Sequence, residues 1–465
     1  MAGSLASGLS SASDISEAVR RGDITAVDVV RSALDRIAAA DPRLNAVVAS
    51  DAEAALAAAA AVDAQPLSER GPLAGVPLLV KDVEDTVGYR TTYGSLLHAD
   101  DAPARRDSVV VARLKAAGCV VVGKTNTPEH AYKGNTDNRL FGATANPWSY
   151  EHGVGGSSGG SAAAIAAGLV PLATASDGGG SIRIPAAVNG LPGIKLTLGL
   201  VPHGDPAAPD WGELSTRGVL AADMADTVAA LDVIVGVDPF DMRTFPKQGP
   251  SFADAVRPRL PPTVGWSLGL GYSQVDAEVA GACRAAAEKM AAASGAALVD
   301  VDPVFEADPL GDWLTLAMSL TRRLVPDDRH GDLDPGLAFL LDAFGVVSAQ
   351  DLARAADAAH ELNRLAHERV FSRHALLFTP TVAGQTPLLL GQGTIDGQET
   401  ANWVGLTYPW NLTRQPAASV PAGLSSRGLP IGLQIIGRRH DDLSVLDAMV
   451  VAEQVLGPWP RPGGR

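Results

Sequence analysis

Residues 155–161 read GGSSGGS, four glycines and three serines in seven positions, and the chain runs on directly into the apolar segment AAAIAAG. No other feature restricts the possible folds so strongly. Flexible Gly/Ser linkers lie between domains and have polar flanks, whereas this stretch sits between the aromatic turn of Trp148 and Tyr150 and an apolar run. A phosphate loop would close on Lys-Ser or Lys-Thr, and here Ser161 is followed by alanines. A dinucleotide fingerprint needs a strand just before it, and NPWSYEHGV does not read as one. The segment also satisfies G-x-S-x-G, the sharp turn that presents a nucleophilic serine, which would be Ser157. That turn requires an apolar strand upstream, which is missing, and a late histidine. His330, His360, His367, His374 and His440 are present, but no local context singles one out.

A second glycine run follows. Residues 177–185 read DGGGSIRIP, with Ser181 closing three consecutive glycines. Without Cβ atoms, the backbone N–H groups of such a run can approach a substrate closely. They can then stabilise the oxyanion of a tetrahedral intermediate, and a serine at the end of the run is placed to be the nucleophile. A plain tight turn explains the run equally well when it is read alone.

The surrounding pattern is that of an α/β protein. Val27, Val30, Ala33, Leu34 and Ile37 recur at helical spacing, and residues 11–64 read as helical. Val76 to Val80 form a short apolar strand leading into Lys81, and Val120 to Val122 form another after a helix. Residues 161–169 read as an apolar helix, LVPLATASD as a strand, HALLFTPTV as a later strand, and the chain ends in a helix to about Leu456. Alternation of this kind argues for a buried sheet covered by helices. Residues 240–375 are more helical, more charged and weaker in pattern, which predicts an inserted cap.

Other bulk properties exclude rather than assign. With 465 residues and 46% hydrophobic content, the chain can build a large core. A net charge of −15 disfavours nucleic acid and anionic membrane as partners. Two distant cysteines, Cys119 and Cys283, support neither a disulfide framework nor a metal site. The first residues show no secretory signal, and no apolar run is long enough to span a bilayer. The expectation is a soluble, cytoplasmic protein.

Taken together, GPLAGVPLLVKD and GGSSGGSAAAIAAGLVPLATASDGGGSIRIPAAVNGLPGIK resemble the amidase signature family. DPRLNAVV, FGATANPW and WNLTRQPAASVPAGLSSRGLPIGLQIIGRR add to the resemblance, which covers most of the chain and thins over residues 240–375. It implies one amidase domain over residues 1–465. Its parts are an N-terminal helical region (1–65), a catalytic core (66–239), a variable helical insertion (240–375) and a return to the core (376–465). The implied fold is α/β, a large and mostly mixed central sheet with helices on both faces.

The resemblance also implies a catalytic triad of Lys81, Ser157 preceded by a cis peptide bond, and Ser181 as nucleophile. Each of the three occupies its motif position. Ser157 would relay the proton from Ser181 to Lys81, and an acyl-enzyme on Ser181 would then react with water. The N–H groups of Gly178, Gly179, Gly180 and Ser181 would form the oxyanion hole, and Ala131, Tyr132 and Lys133 would line the acyl pocket. The chemistry is consistent with the residue types. A serine hydroxyl needs a base within reach, and a lysine serves as that base only when neutral. Burial lowers a lysine pKa in the required direction, and Asp82 is expected to point away from the amine. Ser158 supports the lysine or caps the next helix, and Asp177 with Arg183 reads as a buried pair bracing the loop. Neither metal nor cofactor is implied.

The chain departs from the family pattern at Gly178, where threonine is common, and at Leu196 and Leu200, in place of proline and arginine. The resemblance implies an amidase acting on a carboxamide, with esterase side activity. A carbamate (urethane) or aryl-acylamide substrate would use the same triad. A reading of a different class is the A-type component of a tRNA amidotransferase complex, whose glycine-serine motifs differ slightly. Relatives are often dimers, so a homodimer is implied by analogy.

Overall fold

The segment Pro77–Lys81 has every side chain buried and forms the middle strand of a five-stranded sheet. In this computed structural model residues 11–204 and 211–463 are described; the first ten residues, read above for a leader, lie outside them. The strands of the first sheet are β1 (Val47–Ala49), β2 (Pro77–Lys81), β3 (Val120–Thr125), β4 (Leu172–Asp177) and β6 (Thr216–Ala221), in the order β1-β3-β2-β4-β6. The intervening β5 (Gly193–Lys195) belongs to a second sheet with β7 (Thr263–Trp266), β8 (Ala297–Asp300), β9 (Leu376–Pro380), β10 (Ala417–Leu424) and β11 (Pro430–Gly437). Its order is β8-β7-β9-β11-β10-β5. The single large sheet expected from sequence is therefore two hydrogen-bonded sheets, which abut where β5 lies beside β6. Both sheets are mixed. β2 is parallel to β3 and β4, and β6 is antiparallel to β4.

β2 reads as a near-continuous apolar run, and β4 is buried at all six positions, because both of their faces are covered. The helix Gly159–Ala166 is buried along its whole length, and the helices Ala26–Leu44 and Met224–Ile234 add buried apolar faces to the same core. A strand with one wet face would alternate instead. The chain order places β3 on one side of β2 and β4 on the other, a topological switch point. In open α/β sheets ligands bind outside the carboxyl ends of the strands at such a point. Lys81 ends β2 and Asp177 ends β4.

Sequence patterning located most elements but merged or missed some. The helical stretch over 11–64 is three helices, Ala12–Arg21, Ala26–Leu44 and Ala52–Asp63, with β1 between the last two. Three intermediate positions in a short edge strand carry too little pattern to be read. The weakly patterned region after residue 240 is not all insertion. It supplies β7 and β8 to the second sheet, and the helix Ala277–Ser294 buries Val279, Cys283 and Met290 in the main core. The helices Leu310–Arg322, Pro335–Phe344 and Ala349–Ala366 form a second cluster around Trp313, Leu337, Leu341 and Leu362. Among the described residues no single helix is long and apolar enough to cross a membrane.

Candidate active site

Strand β2 delivers Lys81 into the interior, where it is 0% exposed. Its Nζ lies 2.7 Å from Ser157 Oγ, 2.9 Å from Ser158 Oγ and 2.9 Å from Ser176 Oγ. Burial pushes the amine well below its ordinary pKa, and the Arg217 guanidinium acts in the same direction; Glu84 and Asp177 oppose it. Asp82 is turned away as expected, paired with Lys124 at 3.3 Å and hydrogen-bonded by Thr92.

Three hydroxyl partners suit an amine in either state, three N–H donors when charged or two N–H donors and a lone pair when neutral. Ser158 Oγ donates its own hydrogen to the Ser176 carbonyl at 3.2 Å, so towards Lys81 it accepts. In the neutral amine, with N–H groups donated to Ser158 and Ser176, the lone pair would face Ser157 Oγ. Ser158 makes no side-chain cap to the helix that follows it, so its place is in the lysine network. Ser176 was missed from sequence. The signal was the pair of hydroxyls at alternate positions of an otherwise apolar strand, since Thr174 also faces β2 and accepts from the Lys81 backbone N–H at 2.9 Å.

The glycine-serine stretch holds Ser157 by close packing. The Gly156–Ser157 peptide is cis. A Cβ on Gly160 would stand 2.5 Å from the Asn126 backbone nitrogen, and one on Gly156 would stand 2.7 Å from the Asn135 carbonyl oxygen. This stretch is core, not linker.

The second glycine run curls over the ends of β4 and β6. Its carbonyls are held in turn. That of Asp177 accepts from Asn411 at 2.9 Å and that of Gly178 from Trp313 Nε1 at 2.9 Å. Thr407 Oγ donates to Gly179 at 2.6 Å, and the Ser181 carbonyl accepts from Ser158 N–H at 3.2 Å. Of this run, Gly178 and Ser181 line the cleft. The Gly180 N–H is the exception to the expected set of four, because it donates to Asp177 Oδ1 at 2.7 Å. Among the described residues no protein acceptor takes the N–H groups of Gly178, Gly179 or Ser181.

Asp177 and Arg183 are the buried brace that the sequence suggested, both 0% exposed. Arg183 donates to both Asp177 oxygens, at 2.8 and 2.9 Å, to Asn411 at 2.7 Å, to Gln434 at 2.8 Å and to the Thr407 carbonyl at 2.9 Å. All five guanidinium N–H groups are used. Burial alone would raise the Asp177 pKa, but the Arg183 charge outweighs it and holds the carboxyl well below the usual range. Glycine at 178 fills no gap, since the Trp211 ring would be 2.7 Å from a Cβ there. Leu196 and Leu200 are ordinary core residues.

Ser181 opens on a narrow cleft that Ser157, Ser176, Gly178, His130, Ala131, Trp211 and Arg217 help to line. Ser157 and Ser181 share this cleft without a direct hydrogen bond. Of the three residues expected in the acyl pocket, only Ala131 reaches it. The Tyr132 hydroxyl donates to Asp334 at 2.6 Å, and Lys133 pairs with Asp137 at 2.6 Å and Asp334 at 3.1 Å, so these two tie the core to the insertion. Their placement corrects the expectation. Ala131 follows His130 through consecutive left-handed positions, φ 46° and 60°, a turn that sends the next side chains outwards. Among the described residues no cluster of His, Cys, Asp or Glu could hold a metal ion.

A family model described as Amidase matches residues 28–446. The chain is 34% identical to an acylamidase of Rhodococcus erythropolis, over 97% of this chain and 96% of that protein. It is 35% identical to the A-type component of the glutamyl-tRNA(Gln) amidotransferase of Thermosynechococcus vestitus, over 94% and 96% of the two chains. Among solved structures it superposes on a bacterial aryl acylamidase described as a member of the amidase signature family. That match has a TM-score of 0.90 and 31% identity, and covers 98% of each chain.

Proposed function

This chain belongs to the amidase signature family of amide-hydrolysing enzymes, and we propose that it works through Ser181 as nucleophile, Ser157 as relay and Lys81 as base. The observation that carries this reading is a fully buried amine with a lowered pKa among three hydroxyls, two of which, those of Ser157 and Ser176, belong to residues lining the same cleft as Ser181. Ser181 Oγ attacks the substrate carbonyl carbon while its proton passes to Ser157, whose own proton passes to the Lys81 lone pair. The carbonyl oxygen becomes an oxyanion and accepts from the N–H groups of Gly178, Gly179 and Ser181. Collapse of the intermediate breaks the C–N bond. The leaving amine takes a proton back through Ser157, leaving an acyl group on Ser181. Water then attacks the acyl group by the same route, releasing the acid and restoring the serine.

The substrate we propose is a small carboxamide of the aryl-acylamide type, with carbamates and esters handled by the same groups. The similarity to acylamidases over nearly the full chain favours this reading. The same breadth of similarity to the A-type component of an amidotransferase supports a second one, a protein that works within a complex. A cytoplasmic location and a homodimeric state belong to the proposal.

The test uses the purified single chain, without glutamine or tRNA, on p-nitroanilides, primary amides and aryl carbamates. We expect turnover by the wild type and a loss of at least about 10³-fold in Ser181→Ala and Lys81→Ala, the scale seen when a nucleophile or its base is removed. Turnover by Ser181→Ala together with an inactive Ser157→Ala would make Ser157 the nucleophile instead. A wild type silent on every amide would favour the partner-dependent reading.

A further inference from the structure

Two polar side chains in the cleft exchange no proton and make no bond in the reaction just described, although the charge of one of them, Arg217, helps to lower the Lys81 pKa. Arg217, on β6, is 7% exposed and lines the cleft beside Ser181. Its only hydrogen bond among the described residues runs from Nη2 to His203 Nε2, at 2.6 Å. A guanidinium has only donors, so the imidazole nitrogen accepts, and the other N–H groups of Arg217 remain. No carboxylate lies within ion-pair distance of it among the described residues, in contrast to Arg183, whose charge is matched and whose donors are all used. A buried cation without a counter-charge is costly.

His130 is the second. It is 4% exposed and lines the same cleft, and neither ring nitrogen has a hydrogen-bond partner. Its ring stacks on Tyr93 at 5.9 Å and meets His98 edge-on at 5.6 Å. The surroundings are therefore aromatic, and the nitrogens are satisfied by nothing in the protein. Burial, and then His98, push its pKa down to about 3, so at neutral pH it presents one N–H and one lone pair. The cleft does not end at these residues. Val83, Tyr93 and Arg217 also line a wider adjoining cavity, whose far wall carries both signs of charge, Glu84, Asp85, Asp107 and Asp238 with Arg105 and Arg106.

We infer that Arg217 and His130 form a recognition corner for a carboxylate on the substrate, so that the enzyme prefers amides carrying a carboxylate a few bonds from the scissile carbonyl to neutral amides of the same size. A carboxylate supplies what the corner lacks: a negative charge for Arg217, in the two-pronged geometry a guanidinium matches best, and an acceptor for the His130 N–H. A neutral carbonyl would satisfy a donor but leave the charge unmatched. The adjoining cavity leaves room for a substrate that extends past Arg217. This inference rests on the amidase reading for its substrate chemistry.

Three probes test it: acetyl-p-nitroanilide, which is neutral; succinic acid mono-p-nitroanilide, with the carboxylate on the acyl side; and N-acetyl-4-aminobenzoate, with it on the leaving amine. In the wild type, kcat/KM for one of the acidic probes should exceed that for a neutral probe of equal size by about ten-fold or more, and mainly through KM. This is the scale of one hydrogen-bonded charge pair. Arg217→Gln should lower that acidic-to-neutral ratio by at least about ten-fold, Arg217→Lys should restore part of it, and His130→Phe should lower it less. A wild-type ratio near one for both acidic probes, or a ratio unchanged in folded Arg217→Gln, overturns the inference. Should Arg217→Gln fail to fold, calorimetry on the Ser181→Ala protein decides. Benzoate binding at least about ten-fold tighter than benzamide supports the corner, and equal binding overturns it. That measurement needs no turnover, so an absence of amidase activity would refute the proposed reaction without touching the binding claim.

Discussion

Lys81 sits at the end of a strand whose five side chains are all buried, and its amine has only serine hydroxyls for company. Desolvation disfavours the ammonium form, and the Arg217 charge adds to that, the direction the proposed role as base requires. The sign of the stability effect follows from linkage. Below the ordinary lysine pKa the unfolded chain binds a proton at Lys81 that the folded chain does not. Stability therefore rises with pH between the lowered value and the ordinary one. We expect Lys81→Met to abolish turnover and to remove this rise. The wild type should gain on the variant by up to about 1.4 kcal/mol per pH unit across the window. Urea midpoints at pH 7 and pH 9 measure it, with Lys195, whose pKa burial and Arg183 also bring down to about 7, common to both proteins. Lys81, Ser157 and Ser181 could be singled out from sequence because each lies in or closes a distinctive run. Ser176 and His130 were not, because one serine in a strand and one histidine in a loop look like countless ordinary residues until their neighbours are known.

At the scale of elements, the loop that carries Ser181 is a strand end pinned to a helix start. Asp177 closes β4, Arg183 opens the helix Arg183–Asn189, and the guanidinium reaches on to Gln434 of β11, so one side chain ties the loop to both sheets. Arg183→Met would leave the Asp177 carboxylate buried and unpaired. We expect a loss of about 3–5 kcal/mol, the usual result of halving a buried ion pair, read from the urea midpoint. Activity per folded molecule should fall as well, because the Gly180 N–H that Asp177 anchors would no longer fix the loop. Sequence suggested the pair but gave the oxyanion set as four N–H groups. A carboxylate three residues away can turn back onto one of them, and that is a matter of loop geometry rather than of residue type. The same limit applies to Gly178. Sequence shows glycine where threonine is common in the family, and only the structure shows Trp211, from outside the signature block, packed where a Cβ would stand.

Across the whole molecule, the part of the chain with the weakest pattern shapes the cleft. Trp313 of the insertion hydrogen-bonds the Gly178 carbonyl and Leu324 lines the cleft, while Asp334 clasps Tyr132 and Lys133 of the core. Asp334→Ala should loosen the helices Leu310–Arg322, Pro335–Phe344 and Ala349–Ala366 against the core. We expect faster amide hydrogen exchange there, unchanged exchange in β2, and a rise in KM larger than the fall in kcat. The sequence by itself determined the α/β class and the core strands, and its family resemblance pointed to the lysine and the two serines that the structure brings to one cleft wall. Buried strands, glycine turns and hydroxyl-bearing loops are local signals, and each is carried by a few adjacent residues. Tertiary structure alone decided which hydroxyls surround the amine, which N–H group of the second glycine run Asp177 takes, and which charge is left unmatched beside the cleft. Those properties arise between residues tens to hundreds of positions apart. Burial and hydrogen-bond satisfaction exist only once the two sheets and the insertion have closed around the same point.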